Sequence, residues 1–206
     1  MGGKLVAPLT GVAFIVVVII ALLISGGEPP SADEPVQEII DHYVDNKDSV
    51  EIGAFVGVAA AVLLIFFGAY LRSVLSAAEG GSGMLSALPL VGTAIVATGL
   101  AIDSTITIAL AETVEDIEPA AVQSLQALWD NDFVPLALGI QVFLISTGLS
   151  VVLYGALPKW LGWVALVLAV IGFTPIGFAA FLATGIWILV VSVMLTMRVR
   201  SESAAA

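Results

Sequence analysis

Long apolar runs separated by short polar segments dominate the chain. Four of the runs have the length of one membrane crossing: 5–24, 52–71, 85–110 and 133–157. A helix needs about 20 apolar residues to cross a hydrocarbon core about 30 Å thick. A fifth run, from Trp160 to Met197, has nearly twice that length. The pattern predicts an integral membrane protein made of helices.

The fifth run contains a break near its middle, at Thr174-Pro175-Ile176-Gly177. Proline cannot donate a hydrogen bond within a helix, and glycine tolerates the backbone conformations of a turn. We therefore expect two helices, 160–173 and 177–197, joined by a tight hairpin. The total is six transmembrane helices in an all-α, polytopic bundle that forms a single domain over 1–206.

The basic residues predict the orientation of these helices. Lys and Arg are retained on the cytoplasmic side of a membrane. With the N-terminus inside, five of the six basic residues fall on the cytoplasmic face: Lys4, Arg72, Lys159, Arg198 and Arg200. A single crossing in the fifth run would instead separate Lys159 from the last two. We expect a multi-pass protein of the plasma membrane with both termini in the cytoplasm.

Composition agrees with this class and excludes several kinds of chemistry. The chain is 60% hydrophobic and 11% charged, whereas soluble domains are about 45–50% apolar and about 25% charged. It has no Cys and one His, so no disulfide, thiolate metal site or His-pair metal site is expected, and no cofactor. Nucleic-acid binding is not expected either, because six dispersed basic residues form no patch on an acidic chain.

The acidic residues gather in the two predicted external loops, 25–51 and 111–132. These loops hold fourteen of the 17 acids, namely Glu28, Asp33, Glu34, Glu38, Asp41, Asp45, Asp48, Glu51, Glu112, Glu115, Asp116, Glu118, Asp130 and Asp132. The positive-inside rule does not require this segregation, because acids contribute little to orientation. The simplest interpretation is a solvated outer surface. The alternative is a negative vestibule that gathers cations or meets a basic partner.

Both loops show helical periodicity in their apolar residues. In the first loop the apolar stripe follows Pro35 and consists of Val36, Ile39, Ile40, Tyr43 and Val44; in the second it follows Pro119 and consists of Val122, Leu125 and Leu128 or Trp129. The spacing predicts two short amphipathic external helices. Their polar faces carry acids, whereas helices on lipid surfaces carry Lys and Arg, so we expect them to pack on the bundle or on a partner. The candidate partner surface comprises Glu38, Asp41, Tyr43, Asp45 and Trp129.

One ionisable residue, Asp103, lies inside a predicted span, and such residues are costly in lipid. Asp103 and Gln141 both lie about eight residues from the outer ends of sequential antiparallel spans. Equal depth on antiparallel helices permits a direct contact between them. Together with Ser104 and Thr107 they form the candidate intramembrane polar site, which could take up a proton or a cation. The alternative is an interfacial Asp103, or a hydrogen bond that serves packing alone.

Small residues recur at intervals of four, as in Gly53-x-x-x-Gly57 and Ala179-x-x-x-Ala183. This spacing lets helix backbones approach closely, and packing within the bundle is the expected use. Trp187, near the middle of the last span, is expected to pack in the bundle or to contact lipid.

Three segments resemble a known group of proteins. They are the inner-loop run from Leu71 to Ser86, the segment from Leu157 to Trp163, and the outer Tyr43-Val44-Asp45-Asn46-Lys47. Together they resemble uncharacterised six-helix integral membrane proteins of actinobacteria. The resemblance implies six spans and a bacterial plasma membrane, and it implies no catalytic residue.

These observations favour a non-enzymatic accessory or structural subunit of a membrane assembly, with an acidic cap outside the membrane. Its expected partners are the lipid bilayer and a membrane or extracytoplasmic protein; the oligomeric state is not assigned. The alternative is a small cation- or proton-linked transporter or channel that uses Asp103 and Gln141.

Overall fold

A computed structural model of the chain describes residues 2–81 and 83–204, with side chains described from Val6 onward. The described residues form helices joined by short connections, and no strand occurs among them. Ser82, in the glycine-rich inner turn, and the side chains of Lys4 and Leu5 lie outside the described residues. The prediction of an all-α fold is confirmed.

Seven helices follow one another along the described part of the chain. They are α1 Gly2–Ile24, α2 Val36–Glu79, α3 Met84–Thr113, α4 Pro119–Trp129, α5 Phe133–Tyr154, α6 Lys159–Gly172 and α7 Gly177–Ala204. The chain turns between Gly172 and Gly177, where the proline and glycine of the fifth apolar run predicted a break. At the end of α5, Gly155 adopts a φ of 74°, which favours glycine because other side chains are strained there.

Among the described residues, five helical stretches are long and apolar enough to cross a membrane: Val6–Ile24, Val36–Glu79, Met84–Thr113, Pro119–Tyr154 and Gly177–Ala204. The expectation of a multi-pass membrane protein is confirmed at this level. Helix α6 is apolar but has only 14 residues, which at 1.5 Å per residue gives about 21 Å. It is therefore shorter than a hydrocarbon core, and the sixth predicted span is not among the five.

Six of the helices close into a ring, in which each packs on the next in the order α1, α2, α3, α5, α6, α7 and back to α1. Large side chains from this ring fill the centre of the bundle. The core includes Phe67 and Leu71 of α2, Phe143 of α5, Leu161 of α6 and Trp187 of α7.

Two predicted boundaries are corrected by the helices. The first amphipathic segment is not a separate short helix, because α2 runs without interruption from Val36 to Glu79. No glycine or proline occurs between Val36 and Ile52, so nothing stops the amphipathic segment from continuing into the apolar one. The apolar part of α2 that can cross a membrane is 52–71, with 36–51 before it and 72–79 after it. Helix α3 continues past residue 110 to Thr113.

Candidate functional site

Residues 25–51 and 106–132 fold together at one end of the bundle, and we call this region the cap. It has its own apolar core, separate from that of the bundle. The core consists of Ile39, Tyr43, Val50, Ile106, Leu110, Ala111, Val114 and Val122. Ile39 and Tyr43 of the predicted stripe are thus buried against α3 and α4, whereas Val44 is exposed. The core of the cap is built from residues of the cap itself.

A chain of hydrogen bonds crosses the cap core. The Tyr43 hydroxyl donates to Gln126 Oε1 over 3.1 Å, and Gln126 Nε2 donates to Asp130 Oδ1 over 3.2 Å. Asp130 Oδ2 accepts from the Ser31 hydroxyl at 3.1 Å and from the Ala32 amide at 2.8 Å. These bonds join the start of α2, the end of α4 and the connection that follows α1, so they hold the cap in one arrangement.

The outside of the cap carries many acids and one base. The exposed acids are Glu28, Asp33, Glu34, Glu38, Asp41, Asp45, Asp48, Glu112, Glu115, Asp116 and Glu118. Lys47 is the basic residue of this region. The ion pair found among the described residues, Arg198 with Glu202 at 3.2 Å, lies at the opposite end. The carboxylates of the cap are therefore not neutralised within the described part of the chain.

The candidate partner surface is partly corrected by burial. Tyr43 is 1% exposed, so it belongs to the cap core and cannot meet a partner. Tyr43 is buried because it lies on the same face of α2 as Ile39, and that face packs against α3 and α4. Trp129 is half-buried, whereas Glu38, Asp41 and Asp45 are exposed as expected.

A cavity of about 220 Å³ lies beneath the cap, between α1, α2 and α3, and we call it the cap cavity. Its polar lining includes His42, Asp103, Ser104 and Thr107, and Trp129 closes one side. The Ser104 hydroxyl donates to the Ala54 carbonyl over 3.2 Å. Burial lowers the pKa of His42, which favours its neutral form. The cavity brings together three of the four residues predicted as an intramembrane polar site.

Gln141, the fourth, does not line this cavity, and the packing of α3 on α5 explains why. A Cβ added at Gly92 would lie 2.6 Å from the Phe143 nitrogen, and one added at Gly139 would lie 2.6 Å from the Val96 nitrogen. Continuing this antiparallel register places Asp103 beside Asp132. The contact between Asp103 and Gln141 that equal depth would permit is not made, because α3 extends beyond the start of α5 and the outer ends of the two helices are not level.

Asp103 instead has two neighbours, Trp129 at the end of α4 and Asp132 in the connection that follows. The Trp129 indole lies beside its carboxylate, and the Asp132 carboxylate repels it. One oxygen of Asp132, Oδ2, is buried and has no hydrogen-bond partner among the described residues. No group of three or more His, Asp or Glu side chains in the described residues could hold a metal ion. The arrangement is a pair of carboxylates at the base of the cap.

Gln141 lines a second cavity, of about 580 Å³, between α5 and the turn that joins α6 to α7. We call it the hairpin cavity. Gln141 is 6% exposed, and its Oε1 accepts no hydrogen bond from any described residue. Of the four residues that the sequence suggested as one site, three line the cap cavity and the fourth, Gln141, lines the hairpin cavity.

Two further residues hold the structure together: Trp187, for which the sequence left packing and lipid contact open, and Gln126, to which it gave no role. Trp187 Nε1 donates to the Leu161 carbonyl over 3.0 Å, and its ring meets that of Phe143 edge to face at 5.7 Å. It therefore packs in the bundle and does not face lipid. Gln126 is fully buried in the cap; its position four residues after Val122, on the apolar stripe, was the signal for its burial.

Comparison with protein families, curated proteins and solved structures finds no match to this chain. The resemblance to six-helix proteins of actinobacteria therefore stays a prediction.

Proposed function

We propose that the chain is a non-enzymatic accessory or structural subunit of a membrane assembly, whose cap binds a basic protein partner outside a bacterial plasma membrane. The observation that carries this proposal is the cap itself. Its apolar core is buried and Tyr43, Gln126 and Asp130 are hydrogen-bonded to one another, yet its exposed acids have no cationic partners in the described residues. A cap that is already folded and carries unpaired negative charges is suited to bind a positively charged partner.

Charge segregation supports the orientation in this proposal. The cap lies where α2 begins and α3 ends, whereas Arg72, Lys159 and Arg198 lie near the opposite ends of their helices. The Arg198 guanidinium donates to the Ala156 carbonyl over 3.5 Å. The end of α7 and the connection between α5 and α6, which precedes Lys159, therefore lie together. Basic residues favour the cytoplasmic side, so the cap would lie outside, with the start of α1 and the end of α7 both inside. The amphipathic part of α2 and helix α4 would then be the external helices.

Purification of a tagged chain from its native membrane in a mild detergent tests the proposal. At low salt we expect a stoichiometric basic protein to copurify, and at about 1 M salt we expect its loss, because the Debye length falls to about 3 Å. Native mass measurement of the complex identifies the stoichiometry. A chain that purifies alone at low salt would overturn the proposal.

Two triple variants locate the surface. Glu38→Gln, Asp41→Asn and Asp45→Asn together should release the partner. The matched control, Glu112→Gln, Glu115→Gln and Asp116→Asn, removes the same charge elsewhere on the cap and should retain more of it. Equal loss in both would show attraction to net charge rather than binding at the α2 surface.

A second candidate function, a cation- or proton-linked transporter, has one observation in its favour. The cap cavity places Asp103 beside Ser104 and Thr107, with the Asp132 carboxylate near it. Flux of protons or monovalent cations in liposomes tests it. Asp103→Asn should abolish flux, whereas Gln141→Leu should leave it intact, because Gln141 lies in the other cavity. Flux that persists in Asp103→Asn would eliminate this candidate.

A further inference from the structure

The hairpin cavity exists because α6 is shorter than the helix on which it packs. Gly148 of α5 and Gly162 of α6 lie in close contact, since a Cβ added at either would meet the other's carbonyl oxygen at 2.9 Å. From this crossing α6 continues only to Gly172, which lies against the Gln141 amide. Helix α5 continues for eight more residues, or about 12 Å, to Phe133. That part of α5 faces the turn and the start of α7 across a space of about 580 Å³.

The walls of this space are almost entirely apolar. They include Phe133, Leu136 and Ile140 of α5, and Phe178 and Phe181 of α7. The Thr174 hydroxyl donates to the Ile171 carbonyl over 2.6 Å, so its hydrogen is already used. Among the described lining residues, Gln141 is the polar side chain whose hydrogen-bonding capacity is unmet.

The Gln141 amide lies against Gly172, and no described donor reaches its oxygen. Its Nε2 lies over Gly172, where a Cβ would collide with it, so glycine at 172 makes room for the amide. A buried amide oxygen is costly when no donor reaches it. Ordered water needs two to four polar partners, and the cavity offers it few besides this amide. An apolar molecule with one hydroxyl group would pack against the apolar walls and donate a hydrogen bond to the Gln141 oxygen.

We propose that the hairpin cavity binds an apolar molecule of the bilayer that carries a hydroxyl group, of the long-chain alcohol or phenol class. The hydroxyl donates to Gln141 Oε1, and the apolar body lies between α5 and the start of α7. The volume is in the range of small-molecule sites, about 300–1,000 Å³. Phe133 and Phe178 are 59% and 75% exposed, so the cavity is open towards the surroundings of the bundle. This proposal rests on the membrane placement proposed above, and it does not depend on the partner of the cap.

Photolabelling of the full chain in nanodiscs of saturated phosphatidylcholine tests the site. The probe is hexadecanol with a diazirine near its hydroxyl, and the labelled residues are mapped by mass spectrometry. We expect label at 133–141 and 172–181. Unlabelled hexadecanol should compete at about fivefold lower concentration than hexadecane, which corresponds to one hydrogen bond of ordinary strength.

Variants separate the hydroxyl contact from the apolar space. Gln141→Leu should retain labelling but lose the preference for hexadecanol over hexadecane. Ala137→Phe, which fills the cavity from α5, should reduce labelling severalfold. Its matched control is Leu138→Phe, since Leu138 is 56% exposed and does not line the cavity; labelling should be unchanged.

Two results would overturn the proposal. One is label spread evenly over all lipid-exposed helices, and the other is equal competition by hexadecane and hexadecanol in the unmodified chain. A chain that fails to enter nanodiscs at all would instead refute the membrane placement, and the ligand site with it.

Discussion

The cap and the ring of helices below it both bury large side chains, but they differ in how their segments approach one another, although α2 passes through both. In the cap, large side chains such as Ile39 and Tyr43 fill the core, and side-chain hydrogen bonds join segments distant in sequence. In the ring, helices approach through glycine. Gly92 and Gly139 bring the backbones of α3 and α5 together, as do Gly148 and Gly162 for α5 and α6.

The difference follows from the solvent each region is built for. In water, burial of apolar surface drives association, so a cap of large apolar side chains is stable. In lipid that driving force is absent, and helices associate through close van der Waals packing and hydrogen bonds. The transition falls within α2 near Gly53, whose Cβ position is occupied by Ser25 of the segment that follows α1.

The largest expected effect comes from breaking a glycine contact in the ring. In Gly139→Val the new Cβ would lie 2.6 Å from the Val96 nitrogen and 2.8 Å from the Gly92 carbonyl oxygen. Because both are backbone atoms, α3 and α5 must separate. We expect a loss of about 3 kcal/mol or more in the free energy of unfolding. Titration with denaturing detergent in mixed micelles measures it.

Gly57→Ala is the matched control for this variant. Its Cβ would meet Ser104 Oγ at 3.6 Å, an ordinary contact, so we expect a change within about 0.5 kcal/mol. Similar losses in both variants would contradict the view that close approach at Gly139 holds the ring together.

An intermediate effect is expected in the cap. Tyr43→Phe keeps the ring of the side chain but removes the donor to Gln126 Oε1, which is buried. An unpaired buried acceptor costs about 1–3 kcal/mol. We expect faster hydrogen exchange of cap amides and unchanged exchange in the ring of helices. Tyr154→Phe, at a residue that is 45% exposed, serves as the control and should change neither region.

Faster exchange throughout both regions after Tyr43→Phe would show that cap and ring unfold as one unit. The cap and the ring would then be packed differently but would not unfold independently.

Much of the fold was predictable because the strongest signals in this sequence are local. Apolar run length located α1, α3 and α5, and a proline followed by a glycine located the turn before Gly177. The amphipathic stripe predicted which side of the first cap segment is buried, including Ile39. The continuity of α2 was missed because segment 25–51 was treated as a loop separate from the apolar run 52–71, although neither proline nor glycine occurs between Val36 and Ile52.

The candidate site was less predictable because it depends on how far one helix slides along another. Depth counted from the ends of apolar runs placed Asp103 level with Gln141. The register is set by glycines such as Gly92 and Gly139, and their contacts cannot be read from run length. Run length also could not predict that the Gln141 oxygen lacks a hydrogen-bond donor. This depends on the length of α6 and on the packing of Gln141 against Gly172.

The smallest expected effect lies at the turn between α2 and α3, which has polar contacts like those of the cap but no apolar core around them. Glu79, eight residues beyond the apolar part of α2, accepts from the Leu85 amide at 3.3 Å and from the Ser86 amide at 2.8 Å. The Ser86 side chain, followed by these two amides, lowers the pKa of Glu79 below its ordinary value of 4.5. A lowered pKa means that ionised Glu79 stabilises the turn above that value, and that this stabilisation is lost as the pH falls through the lower, folded-state pKa. We expect the exchange protection of the Leu85 and Ser86 amides, corrected for intrinsic rate, to be constant above about pH 5 and to fall in more acidic solution.

Glu79→Gln should remove this pH dependence and leave a low, constant protection of the same two amides. Gly83→Ala offers a second route to the same result, because its Cβ would occupy the position of the Glu79 carboxylate and displace it from the amides. Glu202→Gln, at an exposed acid on the same end of the bundle, is the control and should leave the turn unchanged. If protection at the turn were independent of pH in the unmodified chain, the Glu79 contacts would add nothing to its order. Polar contacts would then stabilise this protein only where, as around Tyr43, an apolar core excludes water from them.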